Sequence, residues 1–440
     1  MRAPRTLMTC CAMVGRLSSQ EGEVLDSRLY REGVGRPKRT IARARELCYH
    51  TLVMSDNPSR MESTAADGPD LSTVEIKAML DGVFAIEDIT TGLGKVRATR
   101  VRGEFLQVTG SAWALLSPRF AARGYKLAFR RDDEGDSILI MARQAERPQR
   151  VTLAIILTVA TVFSMLFTHA VPLGHPEMSW ALVWSLIPDA LAFTAGLLAI
   201  LVAHELGHFF VARHFGVAVS LPLLIPFPAS LFGTMGAVIV MREEPPHRRA
   251  LLLISAAGPL CGMVVALPVV LIGLALSEVA PLPLAEPYLL EGNSLLYALL
   301  KRLVLGEWLP SGGMDVMLHP LAMAGWAGLW VTFLNLIPGA QLDGGHIAQA
   351  LLGRRTRYVT YAVAAGTALL GLLWTGWLIW TAIILFFSRH QALPADDITP
   401  LTRREKGLAL LMLVMLLLTF MPWPLRIVDP LGNLGLGGFV

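Results

Sequence analysis

The stretch Leu191-Ala-Phe-Thr-Ala-Gly-Leu-Leu-Ala-Ile-Leu-Val-Ala-His204-Glu205-Leu-Gly-His208 places three ionisable side chains at the end of a long apolar run. On the helix that this run predicts, His204 and His208 lie four positions apart on one face, where both imidazoles can bind one tetrahedral metal ion. Glu205 lies beside them, in reach of a water molecule at the metal. Ionisable groups at membrane depth are costly and mark functional sites, so the stretch predicts a hydrolytic centre within a membrane.

The composition indicates a polytopic membrane protein. Of 440 residues, 54% are hydrophobic, and the mean hydropathy is +0.53. The apolar excess follows Arg150, whereas 24 of the 38 basic residues lie at or before it. The basic residues lack interleaved aromatic residues, so we expect no nucleic-acid partner. The four cysteines show no ligand or disulfide spacing.

The N-terminal third divides into two parts. Residues 1–70 lack periodicity, which predicts a disordered extension or a mis-assigned start, with Met54 or Met61 as the natural first residue. Residues 71–148 read as a small soluble α+β domain, with a role that is regulatory, substrate-gating or structural. Its predicted elements are a strand or hairpin over 96–108, a helix over 111–123 and strands over 125–130 and 137–142.

Apolar segments long enough, or nearly long enough, to span a bilayer recur after this domain, at 151–170, 190–213, 250–276, 320–338, 357–373, 376–388 and 407–423. The predicted fold class is therefore an α-helical polytopic membrane protein of about six to seven spans with a re-entrant or hairpin segment. We assign residues 149–424 to the membrane-embedded domain and 425–440 to a C-terminal tail.

The distribution of arginine and lysine sets the expected orientation. With a cytoplasmic N-terminus, three basic residues of the later loops lie outside (Lys301, Arg302 and Arg426) and eleven lie inside: Arg213, Arg242, Arg248, Arg249, Arg354, Arg355, Arg357, Arg389, Arg403, Arg404 and Lys406. Arginine supplies 32 of the 38 basic residues, which favours a GC-rich genome and a bacterial plasma membrane over the plastid alternative.

A catalytic metal site needs a third protein ligand, and the sequence offers Asp343. It lies in Asn335-Leu-Ile-Pro-Gly-Ala-Gln-Leu-Asp-Gly-Gly-His346, where proline and glycine interrupt a spanning helix. Interrupted helices at membrane depth face protein or a wet cavity, where a ligand is needed. Two alternatives stay open: Asp343 caps the next helix, or His346 is the ligand.

Together, His204-Glu205-Leu-Gly-His208 and the distant Asn-x-x-Pro-x-x-x-Leu-Asp-Gly resemble the site-2 protease family of intramembrane zinc metalloproteases. The resemblance covers about residues 185–355. Within the family, the chain looks most like the bacterial and plastid branch, which has a Gly-x-x-Gly hairpin and a soluble N-terminal domain. It implies one zinc ion held by His204, His208 and Asp343, with Glu205 as general base. It also implies that Asn335 contacts the substrate backbone.

The segment between the two motifs fits this interpretation. Pro222, Pro226 and Pro228 exclude a regular helix, which predicts a re-entrant or interfacial segment. The following residues can supply an extended edge for an unwound substrate, with Gly233 and Gly236 allowing close approach. An ordinary tight turn is the alternative role of these glycines.

The sequence therefore predicts a zinc-dependent intramembrane endopeptidase that acts on membrane-tethered proteins within the lipid bilayer. The alternatives are a proteolytically silent homologue that binds membrane proteins, and a membrane-anchored metalloprotease that acts on soluble peptides. Neither the substrate nor the oligomeric state is encoded in a recognisable pattern.

Overall fold

The structure is a computed structural model that describes residues 71–93, 98–132, 135–143, 148–171, 178–282, 288–388 and 393–428. The extension 1–70 and most of the predicted tail, 429–440, lie outside the described residues. All described residues belong to one compact unit that begins at Asp70.

The helices are α1 (Thr73–Leu80), α2 (Thr109–Ala121), α3 (Val151–Ala170), α4 (Trp180–His214), α5 (Arg248–Ala275), α6 (Leu295–Leu305), α7 (Pro320–Leu336), α8 (Asp343–Leu352), α9 (Thr356–Leu370), α10 (Gly376–Phe387) and α11 (Arg403–Thr419). The strands are β1 (Phe84–Leu93), β2 (Ala98–Phe105), β3 (Tyr125–Asp132), β4 (Gly135–Ala142), β5 (Leu223–Pro226), β6 (Thr234–Val238), β7 (Glu278–Pro281), β8 (Tyr288–Glu291), β9 (Met314–Met317) and β10 (Leu425–Val428).

The first elements form a four-stranded antiparallel sheet in the order β1-β2-β4-β3. Alternate residues of the strands face a buried apolar core with α1 and α2, in which Val101, Phe129 and Ile138 are fully buried. Helix α1 starts with a capping box, in which Ser72 and Glu75 satisfy each other's backbone N–H groups.

This sheet is attached to the helical part along the edge strand β3. The backbone N–H of Phe129 donates to the carbonyl of Ala395 at 2.7 Å, and Arg130 Nη1 donates to the carbonyl of Pro394 at 2.8 Å. The N–H of Asp396 in turn donates to the carbonyl of Pro246 at 2.8 Å, just before α5. Residues 394–397 thus join the sheet edge to the start of α5.

Three helices, α3, α4 and α5, are long and apolar enough to cross a membrane, and α7 and α10 are shorter apolar helices. Helix α4 begins at Trp180, earlier than the span predicted from residue 190, because Ser179 Oγ accepts the N–H of Leu182 and Pro188 is accommodated inside the helix. Helices α5 and α7 pack closely, since a Cβ at Gly325 or Gly273 would collide with Val270 or Ala322. Helix α4 lies equally close to α7, where a Cβ at Gly196 would stand 2.8 Å from the Leu321 side chain.

Between α4 and α5 the chain forms the hairpin of β5 and β6, within the segment that the prolines exclude from a helix. Gly233, with φ +71°, forms part of its turn and lies against α3, where an added Cβ would stand 2.5 Å from Met165 Cα. Ser164 Oγ donates to the carbonyl of Gly233 at 2.6 Å, which ties the turn to α3.

A small cap that the sequence did not predict lies at the far end of α5. It consists of α6 and two antiparallel ribbons, β7 with β9 and β8 with β10. Helix α5 has 28 residues and is therefore about 42 Å long, which separates the cap from the four-stranded sheet. Residues 425–428 belong to the cap as β10 instead of starting a tail, and Lys301, expected in an outer loop, is fully buried in it.

Candidate metal centre

The two histidines lie on one face of α4, four residues apart as the helical period requires. Both side chains are buried, and their Nε2 atoms approach within 3.2 Å of each other. The rings meet edge to face at 70°, with centroids 4.9 Å apart. Two nitrogen atoms therefore converge on one point beside the helix.

The tautomer of His208 follows from its second ring nitrogen. His208 Nδ1 lies 2.7 Å from the carbonyl of Ile254 on α5. A carbonyl only accepts, so Nδ1 carries the proton and the lone pair of Nε2 points to the convergence point. This arrangement orients a histidine for metal binding.

Asp343 reaches the same point from another part of the chain. Helix α7 ends at Leu336, and α8 begins at Asp343 after an irregular connection that contains Pro338. Asp343 Oδ2 lies 3.1 Å from His204 Nε2 and 3.2 Å from His208 Nε2. The N-cap position of α8 is Leu342 and no side chain caps it, so the helix-cap role for Asp343 is wrong.

The three ligand atoms form a nearly equilateral triangle with sides of 3.1, 3.2 and 3.2 Å. A tetrahedral ion with bonds of about 2.0–2.1 Å holds its ligand atoms about 3.3 Å apart, as zinc does with nitrogen and oxygen ligands. Within the described residues, this is the cluster of histidine and acidic side chains arranged to hold a metal ion. The residues therefore fit zinc in both donor type and spacing.

Two glycines of α5 make room for the imidazoles. A Cβ on Gly258 would overlap His208 Nε2, and one on Gly262 would lie 3.2 Å from His204 Nδ1. Gly207 in α4 likewise lies against the carbonyl of Ala257. Gly258 and Gly262 form a Gly-x-x-x-Gly pattern, which predicts close helix packing but does not say which side chains occupy the groove.

A cavity of about 200 Å³ opens beside the triangle. Glu205 lines it together with Asn335 from α7 and residues 237–239 of the hairpin. Asn335 Nδ2 lies 3.5 Å from His204 Nε2, so the amide borders the ligand atoms. The site thus combines three ligands, an adjacent carboxylate and an amide at one opening.

The remaining candidates are placed differently. His346 also lines the cavity but is not among the residues whose ligand atoms converge. Gly236, with φ +97°, has open space where a Cβ would stand, whereas Gly233 faces α3. A direct substrate contact by either glycine stays a prediction.

Residues 192–373 match the family described as Peptidase family M50. The chain is 33% identical over 243 residues to probable zinc metalloprotease EGY2, chloroplastic, of Arabidopsis thaliana, covering 54% of this chain and 43% of that protein. It is 32% identical over 263 residues to EGY1 of the same plant, covering 58% and 47%. For EGY2 of Oryza sativa subsp. indica the identity is 28% over 300 residues, covering 67% and 54%.

The chain spans about half the length of these relatives. No solved structure matches it. The matched segment contains His204, His208 and Asp343, the residues whose ligand atoms converge. Over residues 192–373, the chain is therefore similar to peptidase family M50, the family of the site-2 proteases.

Proposed function

We propose that the chain is a zinc-dependent intramembrane endopeptidase that hydrolyses peptide bonds in or near transmembrane segments of membrane-tethered proteins. The observation that carries this proposal is the ligand triangle of His204, His208 and Asp343 beside a buried glutamate. These three residues would hold one zinc ion. When bound, zinc supplies Lewis acidity, which polarises a peptide carbonyl and makes water a stronger nucleophile near neutral pH.

Glu205 is the proposed general base. Its side chain is buried on α4 next to His204 and lines the cavity beside the ligand triangle together with Ile239 of the hairpin segment. One carboxylate oxygen would accept a proton from the attacking water and then donate that proton to the leaving amine nitrogen. Glu205 is thereby returned to its starting state after each cleavage.

The hairpin and Asn335 would hold the substrate. A transmembrane helix shields its peptide bonds with its own hydrogen bonds, so the cleaved segment must unwind. Strand β6 pairs with β5 along one edge, and the chain that continues from it lines the cavity, which favours strand addition by the unwound segment. Asn335 Nδ2 would donate to a substrate carbonyl, and Gly236 would let the substrate backbone approach.

Glutamate replacement tests this proposal with the purified full-length chain and a single-pass reporter protein. Glu205→Gln should retain stoichiometric zinc and lose cleavage to the background rate, because the amide cannot accept the proton. Glu278→Gln, at an exposed position of β7, is the matched control and should cleave normally. Undiminished cleavage by Glu205→Gln would overturn the mechanism.

The reporter also separates the alternative functions. A wild-type chain that binds zinc without cleaving any reporter supports the silent homologue. Mass spectrometry of the products gives the cleaved bond, which lies within or beside the apolar segment for an intramembrane protease. A bond in a soluble tail supports the anchored peptidase.

For the membrane arrangement we propose six to seven spans, with the soluble sheet on the cytoplasmic side of a bacterial plasma membrane. The contact of β3 with residues 394–397 and the Arg248–Asp397 ion pair of 3.0 Å support this side, since the loops involved carry the inside arginines. Labelling of single cysteines introduced at Arg404 and Glu278 with a membrane-impermeant thiol reagent tests it. The proposal requires that the reagent added from outside label only the thiol at position 278.

A further inference from the structure

A second cavity, of about 420 Å³, lies where the linker from the soluble sheet enters α3. We call it the linker cavity. Two arginines, Arg150 and Arg242, line it together with Leu153, Leu221, Leu223 and Val240. As far as the described residues go, its lining contains no acidic side chain. Two arginine side chains and several apolar side chains thus line one opening.

The position of the linker cavity places it at the boundary between water and lipid. Arg150 is followed directly by α3, a candidate span. Further along α3, Ile155 and Ile156 are exposed, as expected of side chains that face lipid tails. The apolar wall of the cavity is therefore continuous with the lipid-facing surface of the helix.

The cavity is also held in shape by contacts between its two sides. Gln149 Nε2 donates to the carbonyl of Val219 at 2.7 Å, and Arg242 Nη1 lies 3.4 Å from the carbonyl of Pro148. These bonds connect the linker to the base of the hairpin. The two sides of the linker cavity are therefore held together by hydrogen bonds.

We propose that the linker cavity binds one phospholipid with an anionic headgroup. The headgroup phosphate lies between Arg150 and Arg242, because guanidinium groups pair well with phosphate oxygens. An acyl chain lies against Leu153 and Leu223. Basic pockets on the cytoplasmic side of membrane helices are suited to such headgroups.

Lipid bound here contacts the segment that separates the linker cavity from the cavity beside the ligand triangle, which we call the catalytic cavity. Val240 lines the linker cavity, whereas its neighbours Ile239 and Met241 line the catalytic cavity. This alternation is that of an extended strand, whose successive side chains point to opposite faces. Occupation of the linker cavity therefore supports the strand that the proposed substrate would join.

Native mass spectrometry of the full-length chain in detergent tests lipid binding directly. The probes are dioleoyl phosphatidylglycerol and dioleoyl phosphatidylcholine. Wild type should prefer the anionic lipid by about tenfold or more, and Arg150→Gln/Arg242→Gln should lose that preference. Arg403→Gln/Arg404→Gln, a matched change at two exposed arginines of α11, should keep it.

Two results would overturn the proposal. If both double variants lose the preference equally, the attraction is diffuse surface charge; if neither loses it, the cavity is not the site. Glycerophosphoglycerol, the headgroup without acyl chains, is the second probe. It should compete only weakly, and competition equal to that of the whole lipid would show a phosphate site instead.

The functional consequence is tested separately in nanodiscs. Replacing phosphatidylcholine by a mixture with phosphatidylglycerol should raise reporter cleavage in wild type and in the Arg403/Arg404 variant, but not in the Arg150/Arg242 variant. Unchanged zinc content and melting temperature show that each variant is folded. Lipid binding does not rest on the proposed proteolysis. A chain that binds the anionic lipid selectively but cleaves no reporter would therefore refute only the proposed proteolysis.

Discussion

Two buried clusters of ionisable side chains lie in different parts of this protein. In the cap, Lys301 Nζ lies 2.8 Å from Glu291 Oε1 and 3.4 Å from Asp315 Oδ1. In the candidate metal centre, Asp343 lies as close to His204 and His208. The cap contains its own cation, whereas the metal centre brings together three groups that donate electron pairs.

This difference separates a structural cluster from a reactive one. Burial of charge is tolerated when opposite charges and hydrogen bonds compensate it, and Asp315 Oδ1 also accepts the N–H of Val316 at 2.8 Å. In the metal centre, the Nε2 lone pair of His208 is directed at the carboxylate of Asp343, and no lysine or arginine lines the cavity within the described residues. A metal cation would complete the second cluster as Lys301 completes the first.

The largest expected effect comes from removing the carboxylate of the metal centre. Asp343→Asn should lower zinc affinity by more than about 100-fold and reduce reporter cleavage to background, because a charged ligand becomes a neutral amide. Zinc retained after dialysis against a chelator is measured by mass spectrometry. Asp189→Asn, at an exposed aspartate of the same helix α4, is the control and should retain zinc. Equal retention by both variants would remove Asp343 from the ligand set.

The cap should respond to loss of its cation by unfolding instead of by losing zinc. Lys301→Met leaves two buried carboxylates without a counter-ion, which costs about 3–5 kcal/mol in the free energy of unfolding. The triple change Glu291→Gln/Lys301→Met/Asp315→Asn removes all three charges and should recover most of that loss. Thermal unfolding in detergent measures both. Equal stability of Lys301→Met and wild type would show that the cluster is not a compensated ion group.

A smaller effect is expected from the helix that supports the histidines. Gly258→Ala places a methyl group on His208 Nε2 and should reduce zinc affinity about 10- to 100-fold, as expected when ligand orientation is lost. Gly366→Ala on α9 has open space at the Cβ position and is the matched control. If Gly258→Ala binds zinc normally, the groove of α5 does not set the position of His208.

The sequence was sufficient for the features that depend on local spacing. The apolar run before His204 predicts a spanning helix, and the i, i+4 spacing places both imidazoles on one face. Asp343 followed from the need for a third ligand and from the broken helix around it. The helix and its spacing depend on neighbouring residues, whereas the approach of Asp343 to His204 joins positions 139 residues apart and is seen only in the structure.

The features that were missed depend on contacts between distant segments. Gly258 supports His208 only because of the rotation of α5 against α4, which no local pattern encodes. The cap strands have four residues each, too few to show alternation. Lys301 is buried because Glu291 and Asp315 are brought to it from separate strands.

The smallest effect is expected at a third imidazole, that of His247. Its ring nitrogen accepts a backbone N–H instead of binding a cation. The N–H of Ala250 donates to His247 Nδ1 at 3.0 Å and caps α5. Burial, the largest influence, lowers the pKa of His247, although nearby Asp396 opposes this. The pKa of His247 is lower in the folded state than in the unfolded state. The hydrogen bond from the Ala250 N–H to His247 Nδ1 should therefore be complete above about pH 6.5 and lost as the pH falls below that value. His247→Ala should cost about 1 kcal/mol at pH 8, less at pH 5.5, and leave zinc content unchanged. Chemical unfolding at the two pH values measures the difference, and an equal cost at both would show that the Nδ1 lone pair does not cap the helix.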